Sequence, residues 1–347
     1  MCYNYYGDDM RNFTLIIFAF ILIMSFCGCG LENISETTQS HSDNTTENLA
    51  TGDSETFFSE PPAEPLTEEK AEDSMSTGNS DRVIYGSKTD SELTFTGLEP
   101  LPTREFTFSD IDKWKNSDRT PISHSYGVAS DEAAHFISVD NRKFFDENGF
   151  DAICLGKESE KKKLYLTFDC GYENGYTSKI LDVLKEKNVT AAFFCTLPQM
   201  KENPELIARM INEGHIVGNH SVTHPDFSSL SETKIAQELK GFDDYIREKF
   251  GYSAMYFRYP EGKYSEYAMN AVNSLGYKCV FWSLAYADWD VNNQKGAEYA
   301  YDTVMSRIHP GAVILLHSVS SDNANALSDI IDGARDKGYT FVSLEDD

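Results

Sequence analysis

From Lys163 to the C-terminus the chain alternates short apolar runs with amphipathic stretches, and this alternation restricts its fold more than any other feature. The runs at 164–168, 190–195, 215–219, 255–258, 278–283, 312–317 and 340–343 have the length and composition of strands. The stretches at 177–187, 204–212, 229–250, 265–275, 295–308 and 323–337 carry apolar residues at helical spacing, as Ile180, Leu181 and Leu184 do in the first of them. Ser229 with Glu232 predicts a capping box for the longest helix, and Gly214 predicts a C-terminal stop. About seven β-α units in series imply an α/β fold with a parallel sheet, closed or nearly closed into a barrel.

In such barrels catalytic groups collect at the C-terminal ends of the strands. Five blocks of chemically capable residues follow one another, and four fall at such ends. They are Thr167-Phe168-Asp169-Cys170-Gly171-Tyr172-Glu173, Gly218-Asn219-His220-Ser221-Val222-Thr223-His224-Pro225, Arg258-Tyr259-Pro260-Glu261-Gly262, Asp288-Trp289 and Leu315-Leu316-His317-Ser318. His220 and His224 offer two neutral nitrogen ligands, suited to zinc, cobalt, nickel or manganese. Open positions on such an ion would leave room for water and a substrate oxygen. Asp169 could act as general base on that water. Arg258 could pair with Asp169 and hold it ionised, and His317 is a candidate general acid. Taken singly, each also has an ordinary structural reading, as an ion pair or a satisfied core histidine. Their joint placement at strand ends is what points to one site.

The front of the chain differs from the rest. Met10-Arg11-Asn12 precedes an apolar run, 13–26, that is short for a membrane span but fits a secretory signal. Gly28-Cys29 resembles a lipoprotein cleavage box, with Cys29 as the lipidated residue; an uncut N-terminal anchor is the other reading. Residues 1–29 are therefore expected to be a signal or lipoprotein segment, and Met10 a possible true start because Asp8 and Asp9 suit a signal poorly. Residues 31–80 hold 12 acidic residues against one basic residue, Lys70, with few large apolar side chains. Such a segment cannot bury enough surface to offset its ordering entropy. Residues 30–100 are expected to be a disordered acidic tether, and 101–347 the catalytic domain with its core at 163–345.

The net charge of −26 lies partly in that tether. It argues against nucleic acid as a partner, which would call for basic clusters. Of seven cysteines, Cys154, Cys170, Cys195 and Cys279 lie in the folded part without CxxC spacing, so a zinc ribbon is not expected.

The five blocks resemble those of the polysaccharide deacetylases, metal-dependent esterases that remove acetyl groups from sugars. The strings from Thr167 to Thr177, from Phe281 to Tyr286 and from His317 to Ala324 resemble the muramic-acid (delta-lactam) subgroup found in spore formers. The stretch 114–163 resembles that subgroup's leader. The resemblance implies a distorted (β/α) barrel with Asp169 as base, His220 and His224 as metal ligands, Arg258 as partner of Asp169, and His317 as acid. It further implies that the backbone N–H of Glu261 helps hold the oxyanion, and that Trp289 with Leu315 lines the pocket for the acetyl methyl. Asp288 is counted with these substrate-site residues and is also a candidate to orient His317.

This chain departs from the wider family at two positions. Cys170 stands where most members have a second, metal-binding Asp, so it is either a thiolate ligand or a neutral thiol facing away. Ala285 stands where sister enzymes have an Asp that orients the catalytic histidine. The implied substrate is the N-acetyl group of muramic acid in peptidoglycan strands, with N-acetylglucosamine as the alternative and a non-catalytic wall-binding protein as a rival of another class. A divalent metal, zinc foremost with cobalt or manganese as alternatives, is implied as cofactor. The expected location is extracytoplasmic, anchored through Cys29 or secreted, as a monomer.

Overall fold

The computed structural model describes residues 99–157 and 162–347. The expected signal segment and nearly all of the expected tether lie outside the described residues. In chain order the described elements begin with α1 (Ile111–Trp114), β1 (Ile122–Ser123), α2 (Phe136–Asn148) and β2 (Ala152–Ile153). Next come β3 (Lys163–Cys170), α3 (Thr177–Lys187), β4 (Ala192–Cys195), α4 (Leu197–Glu202), α5 (Pro204–Asn212) and β5 (Ile216–Asn219). Then follow α6 (Glu232–Phe250), β6 (Tyr256–Phe257), β7 (Lys263–Tyr264), α7 (Glu266–Ser274) and β8 (Lys278–Val280). The chain finishes with α8 (Ala297–Arg307), β9 (Ala312–His317), α9 (Ser321–Asp336) and β10 (Thr340–Phe341).

The main sheet runs β10-β3-β4-β5-β6-β8-β2, and β9 also pairs with β3. All its strand pairs are parallel. The ring closes beyond β8. There Ser283 N–H donates to Val313 O (3.0 Å) and Leu315 N–H to Leu284 O (2.9 Å), so the chain after β8 meets the free edge of β9. The result is the distorted α/β barrel expected from the alternation. A separate antiparallel ribbon joins β1 to β7.

Period-2 alternation sorts the strand side chains into two layers. Leu164, Leu166, Phe168 and Cys170 of β3 face the helices, as do Phe193 and Cys195 of β4, and all join the large core. Tyr165, Ala192, Phe194, Ile216, Val280 and Val313 fill a smaller cluster inside the ring, closed from below by Leu344. Each fully buried apolar side chain of this size contributes about 1.5–3 kcal/mol. The filled interior therefore leaves only the upper, C-terminal rim open for chemistry. The leader packs onto this body. Trp114 meets Tyr267 edge-on at 5.4 Å, and Arg104 pairs with the buried Asp243 at 3.0 Å.

One local expectation needs correction. Helix α6 is capped by Ser231, whose side chain accepts from Lys234 N–H, and Ser229 instead ends a short 3-10 turn. Ser231 stands two residues further on, and the turn at Phe227–Ser229 takes up Ser229. The short helix α4 lies between the strand expected at 190–195 and the helix expected at 204–212, in a stretch the alternation leaves unassigned. Proline is tolerated in a first turn, where its missing N–H has no helical partner anyway, and Thr196 caps that turn by accepting from Gln199 N–H. Gly214 does follow the end of α5 with φ +81°.

Candidate active site

The upper rim encloses a pocket of about 1050 Å³. Asp169 reaches it from the end of β3 because Tyr165, Thr167 and Asp169 share the inward face. Arg258, fully buried just after β6, donates from Nη1 to Asp169 Oδ1 at 2.8 Å. Its Nε donates to Val280 O (2.9 Å) and its Nη2 to Phe281 O (3.2 Å), while the guanidinium carbon sits 4.2 Å from the Phe194 ring centroid. The guanidinium is thus fixed by β8 and β4 before it meets the carboxylate. Burial alone would raise the Asp169 carboxyl. The positive charge of Arg258, with smaller effects from His220 and His317, outweighs burial and holds the group below its ordinary value.

His220 and His224 do not sit on a helix. They flank a loop after β5 in which Ser221 (φ 72°) and His224 (φ 55°) adopt the left-handed conformation, folding the second ring back toward the first. The ring centroids are 4.9 Å apart and the planes cross at 78°. The loop is stapled by Glu238 of α6, whose carboxylate accepts from Val222 N–H (3.1 Å), Thr223 N–H (2.8 Å) and the Thr223 hydroxyl (2.8 Å). His220 Nδ1 lies 2.9 Å from Arg258 O. A carbonyl can only accept, so Nδ1 carries the proton and Nε2 keeps its lone pair. That nitrogen lies 3.6 Å from Asp169 Oδ2. Burial lowers the His220 pKa to about 4, against the opposing pull of Asp169, so the ring is neutral at neutral pH.

On the other side of the pocket, His317 ends β9. Its Nδ1 lies 2.7 Å from Asp288 Oδ1, and its backbone N–H donates to Asp288 Oδ2, also at 2.7 Å. Burial would lower the imidazole, but the Asp288 carboxylate more than offsets it and raises the His317 pKa. Asp288 is buried and turned onto His317 rather than into the pocket. It takes the orienting position that Ala285 cannot fill.

Glu261, Trp289 and Leu315 line the pocket, as do Tyr126, Tyr172, Thr196, Trp282, Tyr286 and Val319. Trp289 is 60% exposed at the rim, so it is not a core residue, whereas Leu315 is buried in the wall. Glu261 has φ 54° and its carboxylate pairs with Lys263 Nζ at 2.7 Å. Cys170 is not brought to the histidine pair. It follows Asp169 on the strand, so its side chain points the opposite way, into the helix layer against the Cys195 thiol. Both thiols are free and fully buried, and the hydrogen bond with Cys170, followed by burial, keeps the Cys195 thiol well above its ordinary value.

Among the described residues no group of three or more His, Cys, Asp or Glu is arranged to hold a metal ion. The donor set present is two imidazoles, one with an unprotonated nitrogen facing the pocket. It suits a borderline divalent ion whose other positions are left to water and substrate.

A family model for polysaccharide deacetylase matches residues 156–280. The peptidoglycan-N-acetylmuramic acid deacetylase PdaA of Bacillus subtilis is 50% identical over 198 residues, covering 57% of this chain and 75% of the relative. This chain belongs to the polysaccharide deacetylase family. A second relative, a peptidoglycan-N-acetylglucosamine deacetylase of Bacillus cereus, is 32% identical over 190 residues, covering 53% of this chain and 67% of the relative. The solved structure of B. subtilis PdaA, described as a family 4 carbohydrate esterase, superposes with a TM-score of 0.62 at 43% identity, over 66% of this chain and 97% of that one. Members of this family hydrolyse acetyl groups from polysaccharides, so the chain is a deacetylase with the alternating barrel described above.

Sequence reasoning left Tyr126, Trp282 and Tyr286 without a role. Tyr126 comes from the leader and donates to Ala285 O at 3.1 Å, closing one wall of the pocket. No periodicity or spacing signals a contact made across that separation. Trp282 and Tyr286 fell within a string that carried the family resemblance, yet nothing in the string says which side chains face inward.

Proposed function

We propose that this polysaccharide deacetylase removes the N-acetyl group of muramic acid in peptidoglycan. The observation that carries a hydrolytic reading is the pair of opposed, differently tuned groups across one pocket. Asp169 is held ionised by Arg258, and His317 is kept protonatable by Asp288. Environments that push two titratable groups apart assign them as base and acid.

In this reading Asp169 takes a proton from water as the oxygen attacks the acetyl carbonyl carbon. The backbone N–H of Glu261 donates to the oxygen on which charge develops. His317 then gives its proton to the departing nitrogen as the C–N bond breaks, leaving acetate and a free amine. His220 and His224 would hold the divalent ion, zinc first among the alternatives, and the outward direction of Cys170 supports leaving it out of the ligand set. When bound, the ion supplies Lewis acidity toward the carbonyl and lowers the pKa of water. Trp289 and Leu315 flank the space for the acetyl methyl. The amine freed on muramic acid stands near its lactyl carboxylate and can close a lactam.

Muramic acid is favoured by the higher identity to the muramic acid deacetylase than to the glucosamine one. One observation favours the second reading, N-acetylglucosamine. Among the described residues no Lys or Arg lines the pocket, and Glu261 adds a carboxylate near where an anionic lactyl group would arrive. The enzyme acts outside the cytoplasm, where peptidoglycan lies. We infer that it is held at the membrane by Cys29 or an N-terminal anchor and works as a monomer. Among the described residues no helix is long and apolar enough to cross a membrane. The test is to incubate the metal-loaded protein with glycan strands, with and without stem peptides, and to locate acetyl loss by mass spectrometry. Loss at muramic acid is expected. Loss confined to glucosamine would move the substrate to the second reading, and strand binding with no loss under any metal would favour a non-catalytic wall protein.

A further inference from the structure

The pair His317–Asp288 is itself held from behind. Asn323, fully buried in the first turn of α9, donates its side-chain N–H to Asp288 Oδ2 and lies 3.3 Å from His317 O. An ionised carboxylate can only accept, so the NH₂ end of Asn323 must face Asp288 and its carbonyl oxygen must face away. That oxygen accepts from the Tyr286 hydroxyl at 2.5 Å, and Tyr286 lines the pocket. A chain of hydrogen bonds therefore runs Tyr286, Asn323, Asp288, His317. Oδ2 of Asp288 is shared between the His317 backbone N–H and the Asn323 amide, leaving Oδ1 to the ring.

The same turn grips the loop that carries Asp288. Asp322 Oδ2 accepts from Lys295 N–H (2.6 Å) and Gly296 N–H (2.7 Å). The Ser320 hydroxyl donates to Gln294 Oε1 (2.7 Å), and Gln294 Nε2 donates to Asp288 O (3.0 Å) and Asp290 O (2.8 Å). Asp288 thus has its backbone tied by one set of residues and its carboxylate oriented by another. No described charged partner other than His317 meets that carboxylate, so its aim depends on these neutral donors.

We propose that Asn323, backed by Tyr286, is the positioning residue that keeps Asp288 aimed at His317. This assignment rests on the reading of His317 as general acid. Removing the amide frees the Asp288 carboxylate to rotate, and the imidazole loses its fixed tautomer and direction. The step that suffers is proton delivery to the leaving group, while substrate binding is untouched.

The test compares wild type with Asn323→Leu, which keeps the branched shape and removes the side-chain hydrogen bonds, and with His317→Ala. Each is assayed on N-acetylated glycan, whose amine needs a proton to depart, and on 4-nitrophenyl acetate, whose phenolate does not. Asn323→Leu should lower kcat on glycan about 10- to 100-fold, the scale of a misplaced catalytic group, with KM nearly unchanged and the aryl acetate rate within about threefold of wild type. Tyr286→Phe should give the same pattern more weakly, and it stands in if Asn323→Leu does not fold. Equal losses on both substrates, or a rise in KM alone, would overturn the proposal. If His317→Ala fails to separate the two substrates, the acid assignment falls and the positioning role falls with it. If His317→Ala separates them and Asn323→Leu does not, the positioning role alone is wrong.

Discussion

Replacing Arg258 by methionine removes the cation that faces Asp169 at hydrogen-bond distance while keeping most of the stem volume. The two charges are 2.8 Å apart at the closest atoms and both side chains are buried. At an effective dielectric of about 20 their attraction is roughly 6 kcal/mol. Desolvation of the two ions offsets part of this, and breaking such a pair typically costs about 3–5 kcal/mol because a buried charge is left uncompensated. Asp169 then reverses its behaviour with pH. In the native protein its depressed pKa adds stability above the unfolded carboxyl value, and that stability is lost as pH falls through the folded pKa. In Arg258→Met burial dominates and the folded pKa rises, so the variant gains relative stability as pH falls. The acidic limb of its rate profile moves upward because the base must be deprotonated. Urea denaturation in the presence of a chelator measures the stability. Asp169→Asn made on top of Arg258→Met should recover at least about half of the loss, since a neutral amide no longer needs a counter-charge. Strict additivity of the two single substitutions, or a variant whose stability has the wild-type pH dependence, would refute the pairing argument.

Other predictions follow from the same geometry. The alkaline limb of kcat should lie above the ordinary histidine value of about 6.5, because Asp288 raises His317, and Asp288→Asn should move that limb downward; an unmoved limb would remove His317 from the acid role. Trp289→Ala should raise KM while changing stability by less than about 0.5 kcal/mol, as expected for an exposed side chain, and a large drop in melting temperature would contradict its place at the rim. Glu238→Ala should weaken metal binding about 10- to 100-fold by freeing the loop between the two histidines, as read by calorimetry on the apo protein. Cys170→Ala should leave metal affinity within about twofold, because its thiol faces the helices; a loss comparable to His220→Ala would make it a ligand after all.

How much of this was legible beforehand depended on distance along the chain. The barrel could be read from alternation because each β-α unit is local, and Asp169, His220, Arg258 and His317 stood out as polar residues ending apolar runs. The side on which Cys170 lies was also available, since a residue following an inward Asp169 on a strand must point outward. The sequence reading left that open because family members use the position as a ligand. Closure of the ring by Ser283 and Leu284 onto β9 was not legible, because it depends on pairing between segments with no shared pattern. The contact of Asp288 with His317 could be proposed only from the absence of an acid at Ala285. Asn323 behind it falls within a string that carried the family resemblance, but nothing in that string marks its amide, since a buried asparagine in a first helical turn has the same local sequence whether it supports a catalytic pair or merely the turn.

The central claim is that Asp169 and His317 act as base and acid across one pocket. Acetate release from metal-loaded wild type, Asp169→Asn and His317→Ala acting on peptidoglycan strands tests it most directly. The account predicts release by wild type, a fall of about 10²- to 10⁴-fold in each variant, and an unchanged metal content in His317→Ala. Release that survives either substitution, in a protein that still folds and still binds metal, would contradict it.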